Sequence, residues 1–269
     1  MRELSPQITS TEPHLFKPRD GYRTRTAPAN LGPQIDYYLP SANSTVTIEI
    51  VDAKGAVVNS YSSETATPER PARGDAGQSD DPDAPSARRF GPPPPRVTKN
   101  AGMNRVVWDL RNKDGVTLPP GQYQARVKFG AASQTQPFNV LIDPRVAADG
   151  VTVADLQEQY EHNLRMRALV NGVNRLVARV REAQNKAPAA ANGDGDTSAR
   201  LKAIAAKLFS EPVRYGKPGL QAHITYLTSM TANVDQKIGR DAIERYAVLK
   251  KEFDTVSAEV DQLLGPARQ

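Results

Sequence analysis

The apolar side chains of this chain change their period once, near Asp149-Gly150, and that change constrains the fold more than any other feature. Before it they recur at every second residue; after it they recur at every third or fourth. Val46, Ile48 and Ile50 alternate with Thr47, Glu49 and Val51, and Tyr123, Ala125, Val127 and Phe129 keep the same spacing. Successive side chains of a strand point to opposite faces, so this pattern buries one face of a sheet and wets the other. Beyond Gly150, Val153, Leu156, Tyr160, Leu164, Val170, Val173, Leu176, Val177 and Val180 fall on one stripe of a helix. The pattern predicts an α+β protein of two segregated domains, strands first and helices second.

In the first part, Ile35 to Leu39 reads as a short strand closed by Pro40. Val46 to Val51 and Val57 to Tyr61 form a hairpin about the turn Asp52-Ala53-Lys54-Gly55. Strands resume from Gly102 to Leu110, from Tyr123 to Phe129 and from Gln136 to Ile142, where Asp143-Pro144 stops the last. About six or seven strands suit a small antiparallel sandwich over residues 35–145. Residues 1–34 carry Pro6, Pro13, Pro18, Pro28 and Pro33 and read as an extended lead segment, with Leu15 and Phe16 as an apolar anchor. Residues 63–98 lose all periodicity and run through Pro92-Pro93-Pro94-Pro95. Such a segment buries too little surface to offset its ordering entropy, so a disordered proline-rich insert is expected there.

In the second part, residues 146–269, Thr152 and Asp155 have the spacing of a capping box before a long helix. Residues 187–196 break it and read as a flexible loop. Leu201, Ile204 and Leu208 carry a short helix that Pro212 ends. Leu220, Ile224, Leu227, Val234 and Ile238 mark a third helix. Ile243, Tyr246, Leu249, Phe253, Val256, Val260 and Leu263 mark a fourth. Stripes that cannot bury themselves singly pack together, and an antiparallel up-and-down bundle is expected.

The 269 residues hold no cysteine, which excludes disulfides, thiolate catalysis and thiolate zinc sites. No apolar run is long enough to cross a bilayer, and residues 1–20 show no signal-peptide core. The net charge is +5, yet the 35 basic residues are scattered among 30 acidic ones, so nucleic acid is not an expected partner. His14, His162 and His223 lie in different segments, without the helical spacing of a metal site. Asp109 and Asp114 flank turns and read as turn formers rather than a carboxylate pair, and Asp241 reads as a helix cap. Gly193-Asp194-Gly195-Asp196 lacks the alternating ligands and terminal glutamate of a calcium loop. Trp108, between Val106 and Leu110, reads as a core plug. These residues imply no catalytic, cofactor or metal site.

The run Gly102-Met103-Asn104-Arg105-Val106-Val107-Trp108-Asp109-Leu110-Arg111, followed by Leu118-Pro119-Pro120-Gly121-Gln122-Tyr123, resembles the end of a FlgD-type immunoglobulin-like domain. Val46 to Tyr61 resembles that domain's opening strands. With His14-Leu15-Phe16-Lys17-Pro18-Arg19, the proline-rich insert, Leu141-Ile142-Asp143-Pro144-Arg145 and the helical tail, the layout resembles the C-terminal region of bacterial BNR-repeat propeller proteins. Those proteins are described as sortilin-like or glycosyl-hydrolase-like and are usually exported. The resemblance implies an Ig-like sandwich and a non-catalytic accessory module of a periplasmic or extracellular protein. A propeller, its own or another protein's, would then be its partner, and Met1 a truncation or internal start. Two alternatives stand beside it. One is a carbohydrate-binding module with Tyr37, Tyr38 or Trp108 as platforms; the other is a fragment of a glycosyl hydrolase whose active site lies in the missing propeller.

Overall fold

The computed structural model describes residues 12–24, 32–64, 95–186, 195–210, 213 and 216–266. The chain divides into two compact units, Met1–Gln157 and Glu158–Gln269. Strands occupy the first and helices dominate the second, the α+β arrangement that the change of period implies.

The first unit has two sheets. One is β1 (His14–Leu15), β3 (Gln34–Leu39) and β6 (Gly102–Val107), in the order β1-β3-β6. The other is a curled half-barrel of β2 (Gly21–Arg23), β8 (Ala132–Ile142), β7 (Gly121–Phe129), β4 (Val46–Asp52) and β5 (Val57–Ser62), in the order β2-β8-β7-β4-β5. Val46, Ile48 and Ile50 of β4 are fully buried, as are Ala125 and Val127 of β7, whereas Thr47, Glu49 and Lys128 keep contact with water. The two sheets share an interior. The ring of Tyr37 on β3 lies 6.2 Å from that of Phe129 on β7.

The lead segment is more than an anchored extension. It supplies an edge strand to each sheet, and β2 pairs with β8 in parallel, so the strands are not all antiparallel as expected. A hairpin forces its strands antiparallel, whereas an edge strand arriving from elsewhere in the chain is free of that constraint. Gly32 fits here for lack of a side chain: a Cβ would stand 2.0 Å from the Trp108 carbonyl oxygen.

The strand expected over 102–110 leaves its ladder after Val107, where Trp108 N–H donates to Pro33 O at 3.1 Å. Most of the insert, residues 65–94, lies outside the described residues. Its margins belong to the folded unit. Val97 is buried, Thr98 O accepts from the Tyr37 hydroxyl at 2.5 Å, and Ser63 Oγ accepts from Val46 N. Buried Asn104 closes that margin, accepting from Thr98 Oγ1 and Asn100 N and donating to the carbonyls of Asn100 and Gly102.

A short helix, α1 (Pro144–Ala148), follows β8. Asp143 caps it, its carboxylate accepting from Arg145 N at 3.0 Å and from the Arg145 guanidinium at 2.6 Å. The helices then run α2 (Val153–Lys186), α3 (Gly195–Leu208), α4 (Leu220–Ala232) and α5 (Arg240–Leu264). The α2 start is the expected capping box: Asp155 N donates to Thr152 Oγ1, and Thr152 N to Asp155 Oδ2. Met166, Leu169, Val173, Leu176 and Val180 of α2 share one apolar core with Ile204, Leu208, Ile224, Leu249, Val256 and Val260.

Three helical expectations need correction. Gly195 and Asp196 begin α3 rather than belonging to a flexible loop, while residues 187–194 lie outside the described residues. The third helix ends at Ala232, so Val234 and Ile238 are not helical; Ile238 is buried from the segment that follows. Asp241 is not the cap of α5. Gly239 takes that position with no side-chain bond, and Asp241 sits in the first turn, where a negative charge favours the positive end of the helix dipole.

Candidate functional site

The chain makes its one non-glycine excursion to positive φ among the described residues at Leu110, φ 60, directly after Trp108 and Asp109. A left-handed leucine costs roughly 1–2 kcal/mol. Such strain persists where its surroundings over-determine it, and it clusters at functional sites. The candidate site is the corner around this residue.

Trp108 is wholly buried, its ring edge-on to Tyr123 (5.3 Å) and Phe138 (6.0 Å), and its indole N–H donates to Arg111 O at 3.2 Å. Asp109 Oδ1 accepts from Arg111 N at 3.2 Å and from the Tyr61 hydroxyl at 3.3 Å. Asn59 Nδ2 donates both to Arg111 O and to the Tyr61 hydroxyl oxygen at 2.8 Å. Burial raises the Asp109 carboxyl above its ordinary range despite these donors, and burial together with the Asp109 charge raises the Tyr61 phenol. A carboxyl displaced upward beside a phenol is the kind of pair that proton-transfer sites employ. Here, however, the described bonds of both groups run within the corner and tie β5 to the loop after β6. The arrangement holds geometry.

Asn59 and Tyr61 are site residues that strand reading alone passed over. Their signal was present: opposite Ile50 and Ile48, they put polar atoms at the inward positions of β5. Asp114 does not join Asp109. Its turn is organised by buried Asn112, whose Oδ1 accepts from Asp114 N and Val116 N.

The other residues singled out by sequence disperse. Half-buried His14 packs edge-on to Phe16, half-buried His223 lies on α4, and His162 is buried on α2 beside Tyr246. Gly193 and Asp194 lie outside the described residues. Among the described residues, no three His, Cys, Asp or Glu side chains group as metal ligands, and no helix is long and apolar enough to cross a membrane. Of the three proposed sugar platforms, Tyr37 and Trp108 are fully buried and present no ring face; packing claimed both as the largest apolar surfaces available. Tyr38 is half-buried, between His14 and Met103 in register across the three-stranded sheet.

The exposed apolar residues form a clearer surface. On α4, Tyr226 and Met230 are one turn apart on the outer face, 67% and 54% exposed, and Val234 follows just beyond the helix at 58%. No Asp, Glu, Lys or Arg occurs between Lys217 and Asp235. An outward helix face is usually charged, so this one is unusual. No family model and no curated protein matches the chain.

Proposed function

We propose that the chain is a non-catalytic interaction module whose uncharged α4 face docks a protein partner. The single observation that carries this reading is the line Tyr226, Met230 and Val234, exposed on a segment without one ionised carboxylate, ammonium or guanidinium. The candidate corner supports it from the other side, since Asp109, Tyr61 and Asn59 are engaged in mutual bonds. The resemblance described above supplies the context. On that reading the chain is the C-terminal accessory part of an exported, glycosidase-like propeller protein, its partner is a propeller, and its compartment is the periplasm or the cell exterior. The β unit is then an immunoglobulin-like sandwich, consistent with the Tyr37–Phe129 and Trp108–Tyr123 contacts, and the helical unit an up-and-down bundle.

The test is a binding titration of the full chain against a tail-deleted propeller of the resembled family, with glycoside and peptide turnover measured alongside. Saturable binding, weakened at least about tenfold by Tyr226→Asp or Met230→Asp, is the expected outcome. No binding, or turnover that a single substitution abolishes, overturns the proposal.

A further inference from the structure

The buried face of α2 is not apolar throughout. Its first turns in the helical unit place Gln159, His162 and Asn163 inward, one turn ahead of Met166 and the apolar core. Two of the three have evident work. Gln159 Nε2 donates to Thr231 O (2.9 Å) and Val234 O (2.6 Å), and Asn163 Nδ2 donates to Thr231 O (3.2 Å). The last carbonyls of a helix have no partner within it, so these amides satisfy the end of α4 from the side. His162 differs. It is 1% exposed, and neither ring nitrogen has a hydrogen-bond partner among the described residues.

We propose that His162 is an acid-sensitive latch: neutral and buried, it lets Gln159 and Asn163 hold the end of α4, and its protonation releases that end. A neutral imidazole packs edge-on to the Tyr246 ring, 5.9 Å between centroids. An imidazolium there would be a buried cation, and even the unpartnered acceptor on the next residue, Asn163 Oδ1, makes no bond to the ring, so protonation favours opening.

Among the described residues, the charged and titratable groups around it give it no stable counter-ion. On its own helix, Glu158 and Arg165 are exposed one turn before and after it, and the Arg165 guanidinium lies over the Tyr246 ring at 5.7 Å. From α5 it meets the Tyr246 phenol ring. On α4 the titratable side chains are half-buried His223, two turns before Thr231, and exposed Tyr226; between α4 and α5 lie buried Asp235, which has an interaction of its own, and exposed Lys237. Burial first and the Arg165 charge second both lower the His162 pKa from its ordinary 6.5.

The direction with pH follows. Above 6.5 the ring is neutral in the folded and the unfolded chain and has no effect. Below 6.5 the opened chain binds a proton that the closed one refuses, so closure weakens as pH falls.

The experiment is hydrogen exchange of the full chain from about pH 7.5 to about pH 5, corrected for intrinsic rates, with one proton linked to opening. The amides of residues 228–239 are expected to open about tenfold more per pH unit below the histidine range. The same rise is expected in Asp235→Asn and in His223→Gln, and none in His162→Leu. A rise that persists in His162→Leu, or vanishes in Asp235→Asn or His223→Gln, overturns the proposal, as does flat exchange in the unmodified chain. If His162→Leu does not fold, an NMR titration of the unmodified imidazoles decides. A His162 ring titrating at or above 6.5 in the folded chain overturns the latch; one titrating below it supports the latch.

Discussion

Leu110 shows two residue-scale effects opposing each other. Its φ of 60 favours glycine, but its side chain is buried beside Trp108. Leu110→Gly relieves roughly 1–2 kcal/mol of backbone strain and loses about 2–5 kcal/mol of packing, so it should destabilise on balance. Leu110→Ala loses similar packing and keeps the strain. Glycine is therefore expected to be the more stable replacement by about 1 kcal/mol, the reverse of the usual order. Urea unfolding of the two variants checks this, and an alanine variant equal to or above the glycine one would show that the strain is not what the φ value implies. Asp109 was legible as a turn former because aspartate bonds its own backbone two residues on, and it does bond Arg111 N. Its link to Tyr61, 48 positions away, was not legible, because no local pattern specifies a long-range partner.

At the scale of elements, Asn104 is the counterpart of that corner at the other end of β6. Its amide makes four bonds and closes the turn from Thr98 to Gly102. Asn104→Ala removes the donor and acceptor together and leaves four groups to find other partners, so a loss of about 2–4 kcal/mol is expected. The denaturation midpoint should fall with an unchanged slope; a changed slope would mean that the whole margin of the insert had come loose. The helices were the more readable elements. The reciprocal Thr152–Asp155 bonds lie within three residues, which sequence spacing can encode. The end of α4 was less so. An apolar stripe continuing to Val234 and Ile238 suggested more helix, whereas the helix stops at Ala232 and the chain beyond it turns Ile238 inward.

Across the whole molecule, the two units should answer acid at different points. The helical unit carries the buried His162, and its stability should decline once pH drops below 6.5. In the β unit, hydrogen bonds from Arg145 hold the Asp143 carboxyl well below its ordinary 3.8, and the Lys128 bond lowers Glu49 from 4.5. Carboxylates with lowered folded values keep their contribution above the ordinary range and lose it as pH falls through and below it. Exchange in β4 and β8 should therefore stay constant through the histidine range and rise in the carboxylate range. Simultaneous loosening of both units near neutrality would contradict this assignment. A mixed outcome is informative too: β4 and β8 loosening only in the carboxylate range, with no change in α4, would remove His162 alone.

The sequence by itself determined where strands give way to helices, which faces of β4 and β7 are apolar, and how α2 begins, because all three are written within a few neighbouring residues. Only the tertiary structure decided that the lead segment feeds both sheets, that β2 runs parallel to β8, and that Asn59, Tyr61 and Asp109 meet. It also decided that His162 stays buried with both ring nitrogens unpaired among the described residues. Those outcomes depend on which distant surfaces pack against one another, a choice made by the total free energy of burial and bonding rather than by any local propensity.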